Sequence, residues 1–183
     1  MKRSSLIILA VFACLLVAGS AGAQYEYYGE DYNIYNPMWS VHAGYVWLSG
    51  DIEDSTSWLI GLDYESPIGA RYKDNVNDYF TVGFDYVPIS TNTTGDESVI
   101  PFLIGFRKYG IIAPIKVYFG IGIGTRWASD DIPELNIDDG FNFAWSASIG
   151  FNFTPDFLGQ ARFIGGDEPD EDGMFSLELG YRF

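Results

Sequence analysis

The 183-residue chain contains one histidine, His42, and one cysteine, Cys14. His42 with Ser146 or Ser148 and Glu178 supplies the residue types of a hydrolase triad: base, nucleophile and orienting acid. Asp63, Glu65, Asp85 and Glu178 interrupt apolar stretches, as do Arg107, Lys116, Arg126, Arg162 and Arg182. Charges in such surroundings persist when paired. Glu168-x-Asp170-x-Asp172-Gly173 echoes a calcium loop, but Leu179 stands where the closing bidentate Glu belongs. Gly120-x-Gly122-x-Gly124 is not a dinucleotide loop, because no helix pattern follows it. Asn92-Thr93-Thr94 has the form of a glycosylation sequon. What any of these groups does depends on the surface the fold puts it on.

Composition narrows the choice. A formal charge of −15 excludes a basic-patch nucleic-acid binder, and 48% hydrophobic residues exclude a mainly disordered chain. The length fits one domain. Met1-Lys2-Arg3, the apolar stretch from Leu6 to Ala18, and Ala21-Gly22-Ala23 form the three parts of a secretory signal peptide over residues 1–23. The stretch is shorter than a spanning helix, and Cys14 is misplaced for lipidation. Cleavage leaves 8 basic against 25 acidic residues, a charge of −17, and no cysteine. Such an exported chain holds together without disulfides. Residues 24–38 form a Tyr-rich leader of no clear period.

From residue 39 the pattern is alternation with period two, the mark of strands. It predicts eight: Trp39 to Leu48, Trp58 to Glu65, Tyr79 to Val87, Val99 to Tyr109, Lys116 to Trp127, Phe141 to Phe153, Phe157 to Ile164 and Met174 to Phe183. One face is large and aromatic, as in Val117, Phe119, Ile121 and Ile123, or Phe175, Leu177, Leu179, Tyr181 and Phe183. The other carries Gly, Ala, Ser and the isolated charges. A water-facing surface would be rich in Lys and Glu, and this one is not. The faces suit lipid outside and a tightly filled polar lumen inside. Strands of about ten residues in even number match a barrel crossing a bilayer.

The connections alternate too. Those at 50–57, 89–98, 128–140 and 165–173 hold fifteen of the acids and no Lys or Arg. Those at 110–115 and 154–156 are tight turns, while the one at 66–78 is longer. Short turns at one end and long polar loops at the other are the asymmetry of an outer-membrane barrel.

Two stretches carry a family resemblance. Phe175-Ser176-Leu177-Glu178-Leu179-Gly180-Tyr181-Arg182-Phe183 resembles the terminal strand that small outer-membrane barrels present for assembly. Val117-Tyr118-Phe119-Gly120-Ile121-Gly122-Ile123-Gly124 resembles their Gly-alternating central strand. The chain is thus similar to the eight-stranded outer-membrane barrels of Gram-negative bacteria, the OmpX/OmpA-barrel type. The resemblance implies an all-β, eight-stranded antiparallel up-and-down transmembrane barrel over residues 39–183. It also implies outer-membrane localisation, porin-like or OmpX-like character, and transient contact with the barrel-assembly machinery.

On that frame the charged side chains form a lumen network, with Arg162 and Glu178 paired across the last hairpin. The lumen is expected to be filled and structural; the alternative is a narrow polar conduit, with a small cavity beside Gly120, Gly122, Gly124, Ala144, Ser146 and Ser148. An enzyme is not expected, because His42 sits mid-strand inside while the substrate of a lipid-modifying enzyme lies outside. No cofactor is implied. The expected partners are membrane lipid and lipopolysaccharide, with divalent cations such as Ca2+ or Mg2+ possible at otherwise solvated acidic loops; the chain is expected to be monomeric. The role reads as structural or interactive: membrane integrity, adhesion through loops, or minor solute passage. The competing reading is a soluble periplasmic lipocalin-like barrel, with Phe, Trp and Ile inside around an apolar ligand.

Overall fold

The computed structural model describes residues 37–49, 56–68, 78–91, 95–112, 115–132, 135, 137–166 and 173–183. The signal peptide, most of the leader and most of the fourth loop lie outside these residues. The described chain is eight strands: β1 (Met38–Leu48), β2 (Thr56–Pro67), β3 (Asp78–Thr91), β4 (Gly95–Ile112), β5 (Ile115–Ala128), β6 (Gly140–Asn152), β7 (Phe157–Gly165) and β8 (Gly173–Arg182). Each pairs antiparallel with its sequence neighbour, and β8 pairs with β1, so the sheet is a closed up-and-down barrel. Closure leaves no long free edge, which is why a sheet can sit in hydrocarbon. The seam runs from Ser40 opposite Arg182 to Leu48 opposite Met174. Reciprocal bonds between Trp39 and Phe183 finish it, with N to O distances of 3.2 and 2.9 Å.

Most strand boundaries differ by a residue or more from those read in the sequence. β1 begins one residue earlier, at Met38. β4 runs to Ile112 and β5 starts at Ile115, which tightens that turn further. The largest change is at β3 and β4. Ile89 pairs with Glu97, Ser90 with Asp96 and Thr91 with Gly95, so most of the expected loop at 89–98 is hairpin ladder. Polar residues concealed this extension, because alternation loses its apolar half where a strand leaves the hydrocarbon. Pro88 also lies in it. The β2–β3 ladder ends at Ile60 opposite Tyr86, just before a proline that brings no N–H.

Turn chemistry is local. Thr154 Oγ1 accepts bonds from the amides of Asp156 at 3.3 Å and Phe157 at 3.0 Å, closing the β6–β7 turn. Gly140 opens β6 at φ +88°, a left-handed backbone that favours glycine.

The alternation resolves as lipid-type outside and packed inside. Phe119, Ile121, Ile123, Phe102, Phe106, Phe143, Ile149, Phe175 and Leu177 are exposed on the outer wall. Aromatic pairs such as Trp39–Tyr64, Trp58–Tyr86 and Phe157–Tyr181 stand on that same face across neighbouring strands. The soluble lipocalin-like reading needs these side chains inside and is not favoured.

Candidate functional site

The lumen is layered. Toward the termini, Tyr79, Tyr109 and Tyr118 form a buried aromatic cluster with Met38 packed on it. Ring centroids lie 5.1 Å apart for Tyr79–Tyr109 and 5.2 Å for Tyr109–Tyr118. Tyr118 fits because β6 offers Gly150 opposite it, where a Cβ would collide with the phenol ring. The loop-side half is apolar: Val46, Leu48, Leu59, Val87, Ile89, Val99, Leu103, Ala128, Ile164 and Met174 make one cluster. The sequence suggested a polar lumen throughout; these inward aliphatics, scattered one or two per strand, correct that.

The cluster also takes Ile132, Leu135 and Ile137 from the β5–β6 connection, which are 0–2% exposed. The acids of this connection are exposed, as expected of a solvated loop, but its aliphatic residues are not. The apolar face of this connection turns inward and caps the mouth, while Asp130, Asp131, Asp138 and Asp139 remain exposed.

Between the two apolar layers lies a bonded set of charges. Arg107 donates to Asp63 at 2.6 Å and also to Glu65. Tyr109 donates to Glu65 at 2.9 Å and accepts from Arg182 at 2.5 Å. Arg162 reaches Asp85 at 2.8 Å and Glu178 at 3.0 Å, so the expected Arg162–Glu178 pair is present. Asp85 also holds His42 Nε2 at 2.6 Å. Gln160 joins the two halves: its amide nitrogen donates to Glu178 at 2.5 Å, and its carbonyl accepts from Tyr118 at 2.5 Å and from Arg107 at 3.3 Å. Ser176 donates to Glu178 at 2.5 Å. Four carboxylates thus meet three guanidiniums and His42, all buried. Arg107 additionally stacks over the Tyr118 ring, 4.9 Å from its centroid.

Of the charged residues singled out by sequence, Asp63, Glu65, Asp85, Arg107, Arg162, Glu178 and Arg182 come together in this set. Lys116 is half-buried toward the termini, and the buried Arg126 lies against Gly166 in the loop-side half. Gln160, Tyr109 and Ser176 were not singled out. Gln160 had one visible signal, as an uncharged long polar residue on the inward face of β7.

The hydrolase geometry is absent among the described residues. The hydrogen-bond partners of His42 are Asp85 and Arg162, the latter at 3.4 Å, and neither Ser146 nor Ser148 is among them. Those serines line a cavity of about 30 Å3, together with Asp63, Thr81, Gly120, Gly122, Arg107 and Arg162. That volume holds a water or two. Among the described residues, no group of three or more His, Cys, Asp or Glu is placed to hold a metal ion.

Closed eight-stranded antiparallel barrels with an apolar exterior and a filled interior form the class of the small transmembrane barrels, and the solved structures agree. Neisserial surface protein A is similar to this chain at a TM-score of 0.60 and 14% identity, over 80% of this chain and 95% of that one. The outer membrane enzyme PagL is similar at 0.53 and 16%, over 80% and 98%. Ail, the attachment invasion locus protein of Yersinia pestis, is similar at 0.51 and 19%, over 81% and 99%. A further structure holds Ail in complex with the heparin analogue sucrose octasulfate, at 0.50 and 19% over the same shares. At these identities the likeness establishes the fold. No protein-family model and no curated protein matches the chain.

Proposed function

We propose that the protein is an integral outer-membrane barrel whose role is structural or interactive, carried by its wall and its loop-side surface. The observation that carries this reading is the continuous outer face of exposed Phe, Ile, Leu, Trp and Tyr. Soluble monomers rarely leave contiguous apolar patches beyond a few hundred Å2 in water. Lipid solves that exposure, and the charged, acid-rich connections then belong outside the bilayer. Fractionation tests it. The protein should be insoluble in Sarkosyl and shift in gel mobility on heating; a freely soluble periplasmic band would refute it.

Solute passage is the weaker of the roles the sequence allowed. The tyrosine layer and the aliphatic mouth fill the lumen on either side of the charge layer, which supports a closed barrel. In planar bilayers the protein should give no stable conductance steps.

The reading is non-enzymatic. PagL shows that this fold serves an enzyme, but here the histidine is committed to Asp85 and Arg162 inside the wall. A His42→Ala variant that lost a lipid-modifying activity of the wild type would reverse it. Adhesion to a polyanion, of the kind represented by the heparin analogue on Ail, is disfavoured by a rim carrying Asp130, Asp131, Asp138 and Asp139.

A further inference from the structure

Every strand except β6 gives the charge layer a side chain, and Tyr118 on β5 and Arg162 on β7 are the members that flank it. At that height β6 turns Ser146 and Ser148 inward, in register with Ile164 and Arg162 of β7. Both serines are only half-buried although they face the lumen, and Thr81 on β3 is the same. All three line the cavity of about 30 Å3.

Glycine makes the room. β5 sets Gly122 opposite Ser146 and Gly120 opposite Ser148. A Cβ on Gly120 would collide with the Ser148 hydroxyl, and one on Gly122 would come within 2.8 Å of the Ser146 hydroxyl. Charged groups form the rest of the polar lining. Asp63 gives Oδ2 to Arg107, while its Oδ1 lies over Gly83 on the cavity wall. Arg162 reaches Glu178 through Nε and Asp85 through Nη2, so Nη1 is the atom it can offer here.

These groups select the occupant. A cation would meet the guanidiniums of Arg107 and Arg162, and an anion the carboxylate of Asp63, in surroundings that screen poorly. A neutral molecule that donates and accepts hydrogen bonds suits hydroxyl, carboxylate and guanidinium together. The volume limits that molecule to the size of water. A buried water needs about two to four polar partners, and the three hydroxyls, Asp63 and Arg162 supply them.

We propose that this cavity is a water-binding site, and that its water joins Ser146 and Ser148 to Asp63 and Arg162. Through it β6 becomes part of the charge layer, which then runs around the whole barrel. This goes beyond the membrane reading, and its test is separate from fractionation.

The test uses barrel labelled with 15N and 13C in lipid nanodiscs. Water-to-amide NOE spectra should show cross-peaks to Ser146, Ser148 and Gly122 with the sign of a long-resident water. Their absence from the wild type would overturn the proposal, a result that needs no variant to fold. Gly122→Ala should abolish the cross-peak at Ser146. Its methyl enters the cavity, and its nearest contact is the end of a side chain that can rotate. The serine hydroxyls remain in that variant, so a persisting cross-peak would come from hydroxyl exchange and would overturn the site. The double variant Ser146→Ala, Ser148→Ala should move the carboxyl carbon resonance of Asp63, and an unmoved resonance would overturn the bridge. Saturable shifts of the same amides when sodium chloride replaces sodium gluconate would overturn the proposal in favour of an anion site.

Discussion

Arg107 and Arg162 each hold two carboxylates in a layer without bulk water, so removing either leaves two buried acids short of a partner. Breaking a buried pair this way costs about 3–5 kcal/mol. Arg162→Met should therefore lower unfolding free energy in urea titrations of the lipid-inserted barrel by about that amount. Lys108 and Asp78 form the control, 3.5 Å apart and with side chains 76% and 58% exposed. Lys108→Ala should change stability by no more than about 0.5 kcal/mol. Equal effects at the two sites would mean that the inner layer is hydrated and the pairing incidental. At this scale the charged positions were legible, because a charge on an otherwise apolar strand has few places to go. Gln160 and Tyr109 were not, since neither residue type stands out by sequence. Their roles come from the geometry of three strands meeting across the lumen.

Strands carried most of what the sequence made visible. Every strand named from alternation is a strand of the barrel, and the face with Phe119, Ile121 and Ile123 is the outer one. Period two suffices because a one-residue slip would turn every side chain to the wrong side. It failed at Pro88–Thr91, where the hairpin rises beyond the apolar belt. It also failed at Ile132, Leu135 and Ile137, whose burial follows from a connection folding back and has no periodic trace. Two consequences belong here. Ile121→Arg, on the outer wall of β5 and 68% exposed, should destabilise the inserted barrel by about 2–4 kcal/mol if it lies near the bilayer midplane. The same change should be mild if water covers that wall. Deleting Phe183 removes both bonds to Trp39 at the β1–β8 seam. The fraction of refolded protein showing heat-modifiable mobility should fall, and a normal fraction would mean that the seam closes without it.

At the scale of the whole molecule, the composition resolves into separate surfaces. Aromatic excess lies on the wall, glycine and paired charge in the lumen, and much of the acidity in the connections. Their joint consequence is a barrel that contacts hydrocarbon around its girth and is filled within. The central claim concerns that outer wall, and Cys14, the chain's one cysteine, lies in the segment read as a signal peptide. Single cysteines placed at Phe119, Ile121 and Phe143 of the signal-free chain can then carry nitroxide labels without background. In lipid vesicles, power-saturation spectra should show these labels accessible to oxygen and shielded from an aqueous nickel chelate. Labels on this wall that are relaxed by the chelate as freely as one on a solvated loop would contradict the membrane barrel.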